Sequence, residues 1–409
     1  MASRSEIGSE EERRVSDPML VLTEVFPPKV GGSGRWLFEV LTRRQSAASI
    51  CVLAPPLPEG VSEIETPLKN LRIRREYKRP IETGFFSPRG VIGYLGSLRV
   101  AAKMHRADQF RLVISGSCLT TGWVAWLLKK RHGIPYVCLV HGEEVYVPET
   151  GDVSGTLSSR QHRLMTRWVL HGADRVIANS ENTRDILTTT WGLPEEDVRV
   201  VHPGVDTNRY VPAERCDIFR RNVGWEGRKV VITVGRLQRR KGHDTMIRAL
   251  PSIRQSIPNI LYVIVGDGEE LSRLKGLADE FEVEECVQFH TSIVDRDLIP
   301  FYQQSDLFVL PNRQVGSDIE GFGIVLLEAQ ACGLPVIAGA SGGTKEAVDC
   351  GRSGYIIPCD NPFNLEECVM QLLSDGEKAA TIGRYAREWA VKRFDWGILA
   401  RKFEQAMNR

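Results

Sequence analysis

Two glutamates in the second half of the sequence have the spacing of a binding site. Seven residues separate Glu320 from Glu328, Gly321 and Gly323 follow the first glutamate, and Gly333 precedes an apolar run. A helix that begins near Gly323 would direct free backbone N–H groups at a phosphate or sugar hydroxyl beside Glu320. Either glutamate alone would be explained as a helix cap. The agreement of so many positions instead predicts a functional site.

A basic cluster follows the predicted strand that ends at Gly235. Ligands of open α/β sheets bind at the carboxyl ends of strands. Arg236, through its guanidinium fork, and Lys241, as a point charge, are therefore placed to hold a diphosphate. A solvated basic loop is the alternative, and it describes Arg239 and Arg240 better.

The remaining candidate residues carry weaker signals when taken alone. The Gly31-Gly32 loop lacks the spacing of a dinucleotide or P-loop motif, so a plain loop explains it as well as a substrate loop. His141, at the end of a predicted strand, is by itself better explained as a hydrogen-bonded structural residue. Asp295 precedes a helical pattern and is expected to cap it, rather than to bind a metal together with Asp297.

Short apolar runs alternate with helical patterns along the chain, which predicts an α/β protein with parallel sheets. The predicted strands are Met19–Val25, Ile50–Leu53, Leu112–Ser115, Tyr136–Val140, Arg175–Ala178, Val198–Val201, Lys229–Val234, Leu261–Val265, Val287–Phe289, Leu307–Leu310, Pro335–Ile337 and Gly354–Ile357. A proline-containing linker is predicted over 202–214. It separates a domain of residues 18–205 from one of residues 206–409, whose end is helical from Asn364 onward.

Composition indicates a globular protein of a reducing compartment. The chain has 409 residues, of which 42% are hydrophobic and 26% charged. No apolar run reaches the roughly 18–20 residues of a membrane span. The nine cysteines are scattered without a C-x-x-C pair, which favours the cytoplasm over a disulfide framework or a zinc site. Residues 1–17 are polar and are expected to be a disordered lead, not a signal peptide.

Positive charge is concentrated between Lys69 and Arg111, a range that contains 11 basic and 3 acidic residues. The whole chain is near neutral, at +1, which makes nucleic acid a poor explanation and an anionic surface or substrate a fair one. Here Val91, Leu95, Leu98 and Ala102 recur at helical spacing, while Arg99, Lys103 and Arg106 fall on another face. An ordinary helix with a solvated basic side and a surface for anionic lipid both explain this pattern.

Together, Glu320-x7-Glu328, the Arg236/Lys241 pair, the Gly31-Gly32 loop and His141 resemble the retaining glycosyltransferases of family 4 from Met19 onward. This resemblance implies the GT-B fold: two Rossmann-like domains that face each other across a cleft, with a helical C-terminal tail. Residues 18–205 would then bind the acceptor and residues 206–409 the nucleotide sugar.

The resemblance also implies roles for individual residues. Glu320 would bind hydroxyls of the donor sugar, Glu328 the ribose, and Arg236 and Lys241 the diphosphate, while His141 would touch the donor sugar where the acceptor arrives. These residues, without Glu328, form the implied catalytic set. The implied donor-binding set is Gly31, Gly32, Arg236, Lys241, Ile293, Glu320, Gly321, Phe322, Gly323, Ile324 and Glu328.

One segment departs from the family pattern. Residues 290–293, His-Thr-Ser-Ile, replace the Gly-Arg-Val-like residues usual near the base, which leaves the nucleobase open between GDP and UDP. The segments His141-Gly-Glu-Glu144 and Ser317-Asp-Ile-Glu320 are similar to bacterial phosphatidylinositol mannosyltransferases, which use GDP-mannose.

The predicted function is retaining transfer of a hexosyl unit, of mannose or glucose type, from a nucleoside-diphosphate sugar. The acceptor would be lipid-linked, a glycan or a small molecule, with no metal or cofactor required. A cytoplasmic enzyme, peripheral on the inner membrane face, is compatible with the basic region. The alternatives are an epimerase or phosphorylase of the same fold, or a non-catalytic sugar-nucleotide or lipid-binding module.

Overall fold

The computed structural model describes residues 18–28, 31–45, 48–63, 68, 70–78, 80, 87–147, 157, 159–294, 296–316 and 318–407. The expected disordered lead, residues 1–17, and the expected helix cap Asp295 lie outside the described residues. Within this part of the chain no helix is both long and apolar enough to cross a membrane. The chain divides into two compact units, Met1–His202 together with Gly397–Arg409, and Pro203–Trp396.

The first unit contains a seven-stranded parallel sheet with the order β3-β2-β1-β4-β5-β6-β7. Its strands are β1 (Met19–Leu22), β2 (Ile50–Leu53), β3 (Leu71–Arg74), β4 (Leu112–Ser115), β5 (Tyr136–Val140), β6 (Arg175–Ala178) and β7 (Val198–Val200). Its described helices are α1 (Gly32–Thr42), α2 (Pro88–Asp108), α3 (Thr120–His132), α4 (Arg160–Gly172) and α5 (Glu181–Thr189).

The second unit contains a six-stranded parallel sheet with the order β10-β9-β8-β11-β12-β13. Its strands are β8 (Lys229–Val234), β9 (Ile260–Val265), β10 (Val287–His290), β11 (Leu307–Leu310), β12 (Val336–Gly339) and β13 (Gly354–Ile357). Its described helices are α6 (Asp217–Asn222), α7 (His243–Ser256), α8 (Leu271–Glu280), α9 (Ile299–Gln303), α10 (Ile324–Ala331), α11 (Thr344–Ala347), α12 (Pro362–Ser374) and α13 (Gly376–Phe394); α14 (Trp396–Met407) ends the described chain.

The predicted parallel α/β architecture is confirmed, with two corrections among the strands. β3 was not predicted, because its alternate residues Arg72 and Arg74 are exposed at the edge of the sheet and interrupt the apolar run. β1 stops at Leu22, three residues before the predicted end, where the Thr23 hydroxyl donates to the Val25 carbonyl and turns the chain.

Helix α14 groups with the first unit, whereas the sequence analysis placed residues 397–409 with the second half. Phe403 packs edge-on against Trp36, with ring centroids 6.5 Å apart. Glu404 forms an ion pair with Arg44 at 3.1 Å. A helical pattern shows which face is apolar but not which sheet that face packs against, so the pattern alone did not predict this placement.

Each sheet reverses its strand order at one point, between β1 and β4 in the first unit and between β8 and β11 in the second. Open parallel sheets bind ligands beyond the carboxyl ends of strands at such points. Lys241 follows β8 and Glu320 follows β11, while the Gly31-Gly32 loop follows β1. The topology therefore places most of the predicted site residues where ligands bind in this fold class.

Candidate active site

A buried carboxylate between two cations forms the centre of the second unit's site. Glu320 Oε2 lies 2.6 Å from Lys241 Nζ and 2.5 Å from Arg240 Nη1. Arg240 Nε also lies 2.9 Å from Asp318 Oδ1. Glu320 and Lys241 are each 8% exposed. Lysine and arginine side chains are phosphate-binding groups, and these two lie at the strand-order reversal, where ligands bind in this fold class.

The two cations keep Glu320 ionised. Burial by itself raises the pKa of a carboxyl group, because it penalises the charged form. The charges of Lys241 and Arg240, and their hydrogen bonds, outweigh this effect and bring the pKa of Glu320 below its ordinary value. Glu320 is therefore an acceptor of hydrogen bonds near neutral pH.

The loop after β8 is held against the loop after β11 by the backbone. Gly242 has a φ of 71°, and a Cβ there would lie 1.8 Å from the Pro311 carbonyl oxygen. The Arg313 amide donates to the Arg240 carbonyl at 2.8 Å, and its guanidinium binds Asp244 at 2.8 Å. This close approach, which only glycine allows, brings Arg240 and Lys241 to Glu320.

Helix α10 begins where the sequence predicted. Gly323, with a φ of 87°, is its N-cap, and no side chain caps the helix. Its first amides therefore follow Glu320 within a few residues, as an anion site at a helix N-terminus requires. Phe322 is buried against Phe394, with ring centroids 5.8 Å apart, so its contribution to a ligand is limited to its backbone. Gly321 is half-buried beside it.

Glu328 lies on α10 and accepts a hydrogen bond from the Tyr302 hydroxyl at 2.7 Å. Both side chains are buried. Burial and the neighbouring Glu328 raise the pKa of Tyr302 well above its ordinary value, so the hydroxyl remains a donor. Tyr302 thus fixes one carboxylate oxygen of Glu328, and this orients the other one.

The structure differs from the prediction in which residues of the basic cluster are buried and which are exposed. Arg240, expected to be a solvated residue, is only 12% exposed at its side chain and binds Glu320. Arg239 is 67% exposed, as expected. Arg236 is exposed, and its side chain forms no hydrogen bond or ion pair with any described residue. Composition could not separate Arg240 from Arg239, because they are identical neighbours on a 3₁₀ turn.

Two predicted residues lie in the segment after β10. Ile293 is half-buried, and its side chain has no polar group that could form a hydrogen bond with a nucleobase. Asp297 is exposed and lies 3.7 Å from Arg296.

In the first unit, His141 follows β5 and is held at both ring and backbone. Its Nε2 lies 2.8 Å from the Gly116 carbonyl oxygen, so Nε2–H donates to this oxygen. The ring meets Trp36 edge-on, with centroids 5.3 Å apart. This hydrogen-bonded ring agrees with a structural role, and Nδ1 forms no hydrogen bond with any described residue.

Glu144 joins the loops after β4 and β5 and was missed as a positioning residue. Its two oxygens accept the backbone N–H groups of Cys118 at 3.0 Å and His141 at 3.1 Å. Burial raises the pKa of Glu144, while His141 and the two backbone hydrogen bonds act in the opposite direction. Its place three residues after His141 was the available signal.

The Gly31-Gly32 loop opens α1, with Gly31 as N-cap in an extended conformation. Gly32 is exposed and Gly31 half-buried, so both backbones are accessible. Gly34 is tightly packed, because a Cβ there would lie 2.5 Å from the Val25 carbonyl oxygen. The glycines thus bring α1 close to the end of β1.

Known proteins are similar in sequence to this chain over both units. The model of Glycosyltransferase Family 4 matches residues 30–209, and that of Glycosyl transferases group 1 matches residues 216–389. The GDP-mannose-dependent alpha-(1-6)-phosphatidylinositol monomannoside mannosyltransferase of Mycolicibacterium smegmatis is 30% identical over 384 residues, which are 92% of this chain and 95% of that protein. The chain belongs to glycosyltransferase family 4.

Further relatives of this family 4 glycosyltransferase agree in activity class and fold. The D-inositol 3-phosphate glycosyltransferase of Corynebacterium jeikeium is 31% identical over 68% of this chain and 67% of its own. The sucrose-phosphate synthase of Thermosynechococcus elongatus superposes with a TM-score of 0.78 at 21% identity, over 95% of this chain and 98% of that one. The fold is therefore GT-B, and the chain is an enzyme that transfers a hexosyl unit from a nucleotide sugar.

Proposed function

We propose that this glycosyltransferase transfers mannose from GDP-mannose to a lipid-linked inositol acceptor, with retention of the anomeric configuration. The Lys241–Glu320–Arg240 cluster at the reversal point of the second sheet carries this proposal. The mycolicibacterial relative is named for GDP-mannose and for phosphatidylinositol monomannoside, and the corynebacterial one for inositol phosphate. These names support the donor and the acceptor class.

Transfer in this proposal needs no metal ion. The bond from the sugar carbon to the diphosphate breaks as the acceptor oxygen forms its bond on the same face of the sugar. The acceptor proton passes to a phosphate oxygen of the leaving group. Lys241, Arg236 and the first amides of α10 stabilise the charge of that leaving group, which is the largest demand of the step. Glu320 holds sugar hydroxyls, and Glu328 holds the ribose.

An enzyme with a lipid-linked acceptor needs a surface that binds a membrane. Three adjacent helices of the first unit have the positive charge that such a surface requires. α2 packs against α3, and α3 packs against α4. These three helices contain 10 Lys and Arg residues and a single acidic residue, Asp108. Seven exposed cations of these helices form no ion pair with any described residue: Arg99, Lys103, Arg106, Lys130, Arg131, Arg160 and Arg167. An anionic lipid surface complements this charge.

Apolar side chains point outward from the same helices. Ile92 is 70% exposed on α2, and Trp168 is 41% exposed on α4. Trp168 stacks on Trp123 and Trp126 of α3, with ring centroids 5.9 and 5.8 Å apart, and Trp123 meets Tyr94 of α2 edge-on. Aromatic and aliphatic groups between cations are the composition of an interfacial surface. We name this set of outward residues on α2 and α4 the basic-aromatic face.

The positions of the apolar residues of α2 add to this proposal. Val91 and Leu95, two of the residues at helical spacing, are exposed, and the inward positions include Gly93 and Ser97. A Cβ at Gly93 would lie 2.6 Å from the Pro80 Cα atom, so small residues let the helix approach the chain beneath it. The larger apolar residues therefore lie outside, beside the cations.

We place this activity on the cytoplasmic side of the membrane. All nine cysteines lie among the described residues, and none of them is in a disulfide, as a reducing compartment favours.

A direct transfer assay tests the proposal. The protein is incubated with phosphatidylinositol or its monomannoside in vesicles, with GDP-mannose, UDP-glucose or UDP-galactose as donor. Lipid products are separated, and the anomeric configuration of the new linkage is determined by NMR. An α-mannosyl lipid formed from GDP-mannose is expected. Transfer from UDP-glucose alone, or a β linkage, would contradict the proposal.

A further inference from the structure

We infer that Arg240 is a positioning residue, which retains and orients Glu320 when Lys241 turns to the donor diphosphate. This inference rests on the proposed function of the same site. It assigns a role to the arginine that the sequence analysis treated as solvated, and it separates that role from the diphosphate contact of Lys241.

Arg240 and Lys241 both contact Glu320, but Arg240 is held by more neighbouring groups than Lys241. Arg240 reaches Glu320 through Nη1, Asp318 through Nε and Gln238 through Nη2, at 2.5, 2.9 and 3.3 Å. The hydrogen bonds of Nη1 and Nη2, together with the ion pair to Asp318, restrict the guanidinium group. Lys241 has Glu320 as its ion-pair partner among the described residues, through a single atom. Lys241 is therefore the cation that can exchange its partner at lower cost.

The exchange has an electrostatic consequence for Glu320. A diphosphate that binds Lys241 withdraws that charge from the carboxylate and adds negative charge beside it. A buried carboxylate without a cation would take up a proton. Arg240 prevents this, because its charge stays within hydrogen-bonding distance of Oε2. The side chains of Arg240 and Lys241 are the charged groups that contact Glu320 directly, and Asp318 acts through Arg240.

The orientation of the carboxylate follows from the same contacts. Arg240 is anchored at its backbone too, since its carbonyl accepts the Arg313 amide at 2.8 Å. An arginine held at its backbone and at its guanidinium keeps Oε2 at one place, which leaves Oε1 to accept from the sugar. Displacement of a substrate-binding group by about 1 Å costs on the order of 100-fold in rate. Loss of Arg240 is thus expected to affect kcat rather than donor affinity.

The test compares Arg240→Ala and Arg240→Lys with Arg239→Ala. Arg239 lies on the same turn, is 67% exposed and pairs with Glu270 at 3.5 Å instead of with Glu320. GDP affinity is measured by calorimetry, and kcat is measured with GDP-mannose from about pH 6 to about pH 8. For Arg240→Ala we expect retained GDP affinity, a kcat about 100-fold lower, and an acid limb of the kcat profile that moves to higher pH. Arg240→Lys should restore part of kcat, and Arg239→Ala should match the wild type.

Two results would overturn this inference. An Arg240→Ala variant with normal kcat and an unmoved acid limb would show that Lys241 alone maintains Glu320. A loss of GDP affinity as large as in Lys241→Ala would make Arg240 a diphosphate ligand instead. If Arg240→Ala does not fold, the same readouts on Arg240→Lys decide, with an intermediate kcat expected. Absence of transfer by the wild-type chain would overturn the proposed function itself, and is thereby distinguished from both results.

Discussion

The ammonium group of Lys241 lies 2.6 Å from Glu320 Oε2, and both side chains are buried. The site thus contains an internal anion that neutralises one of its own cations. A donor diphosphate must compete with this carboxylate for Lys241. Once Lys241 binds the diphosphate, hydroxyls of the donor sugar must donate to Glu320 in its place. Donor binding and orientation of the sugar are coupled through this one ion pair.

Replacement of Lys241 by alanine should abolish most catalysis without unfolding the chain. Glu320 keeps Arg240 as a partner, so no buried charge is left alone. Loss of one group that stabilises the leaving diphosphate is expected to lower kcat/KM by about 100-fold to 1000-fold. Steady-state kinetics with GDP-mannose, together with thermal denaturation, measure the two effects.

The matched control is Arg239→Ala, which removes an exposed cation two positions earlier. It should retain kcat/KM. If a folded Lys241→Ala variant turned over at nearly the wild-type rate, the diphosphate contact would have to be assigned elsewhere in the cluster.

Substitution of Glu328 and of Glu320 should have different effects on the affinity for GDP without a sugar. Glu328→Gln removes the charge that Tyr302 orients for the ribose, and GDP affinity should fall about tenfold or more. Glu320→Gln releases two cations from their carboxylate partner, so GDP should bind at least as tightly while transfer is lost. Isothermal calorimetry and the transfer assay report these two quantities. Equal losses of GDP affinity would contradict the division of roles.

Much of the local structure at the candidate site was predictable because it follows from local sequence patterns. The Glu320-x7-Glu328 string, with Gly323 before the helix, encodes a loop followed by a helix, and α10 begins one residue after Gly323. The position of Lys241 follows from the strand that precedes it. The parallel sheets follow in the same way from regularly spaced apolar runs.

What the sequence could not show are contacts between segments distant along the chain. Arg240 pairs with a residue 80 positions away, and Tyr302 orients a residue 26 positions away. The exposed position of Val91 depends on how closely Gly93 approaches Pro80. Tertiary packing, and not local propensity, determines which of two similar neighbouring residues, or which face of a helix, is buried.

Gly242 should be among the most sensitive positions of the second unit. An added Cβ would lie 1.8 Å from the Pro311 carbonyl oxygen, at a φ of 71°. Gly242→Ala should therefore lower the free energy of unfolding by more than about 4 kcal/mol, or prevent folding. Gly224→Ala is the control, since its φ is 79° and no atom lies within 4 Å of the added Cβ. The control should cost about 1–2 kcal/mol from backbone strain alone, and chemical denaturation measures both. Similar losses in the two variants would contradict the close approach at Pro311.

Chelation should leave transfer intact. The proposed site stabilises the leaving group with Lys241, Arg236 and helix amides, so EDTA should not change the initial rate at saturating donor. The measurement is a rate with and without EDTA, followed by addition of magnesium or manganese. Complete loss on chelation, with recovery on metal addition, would require a metal-dependent mechanism and would direct attention to Asp295 and Asp297.

The basic-aromatic face should bind anionic vesicles through both charge and apolar contact. Each cation near such a surface contributes about 1 kcal/mol, so the double variant Arg99→Gln/Lys103→Gln should bind phosphatidylglycerol vesicles about 30-fold more weakly. Ile92→Ser should also weaken binding, because Ile92 is 70% exposed beside these cations, whereas Ile218→Ser, at a 71% exposed isoleucine of α6, should not. Sedimentation with anionic and neutral vesicles, at low and high salt, measures each affinity. Binding independent of lipid charge, or equal losses in the Ile92 and Ile218 variants, would contradict this face. A wild-type chain that binds no vesicles but still transfers mannose would have a water-soluble acceptor.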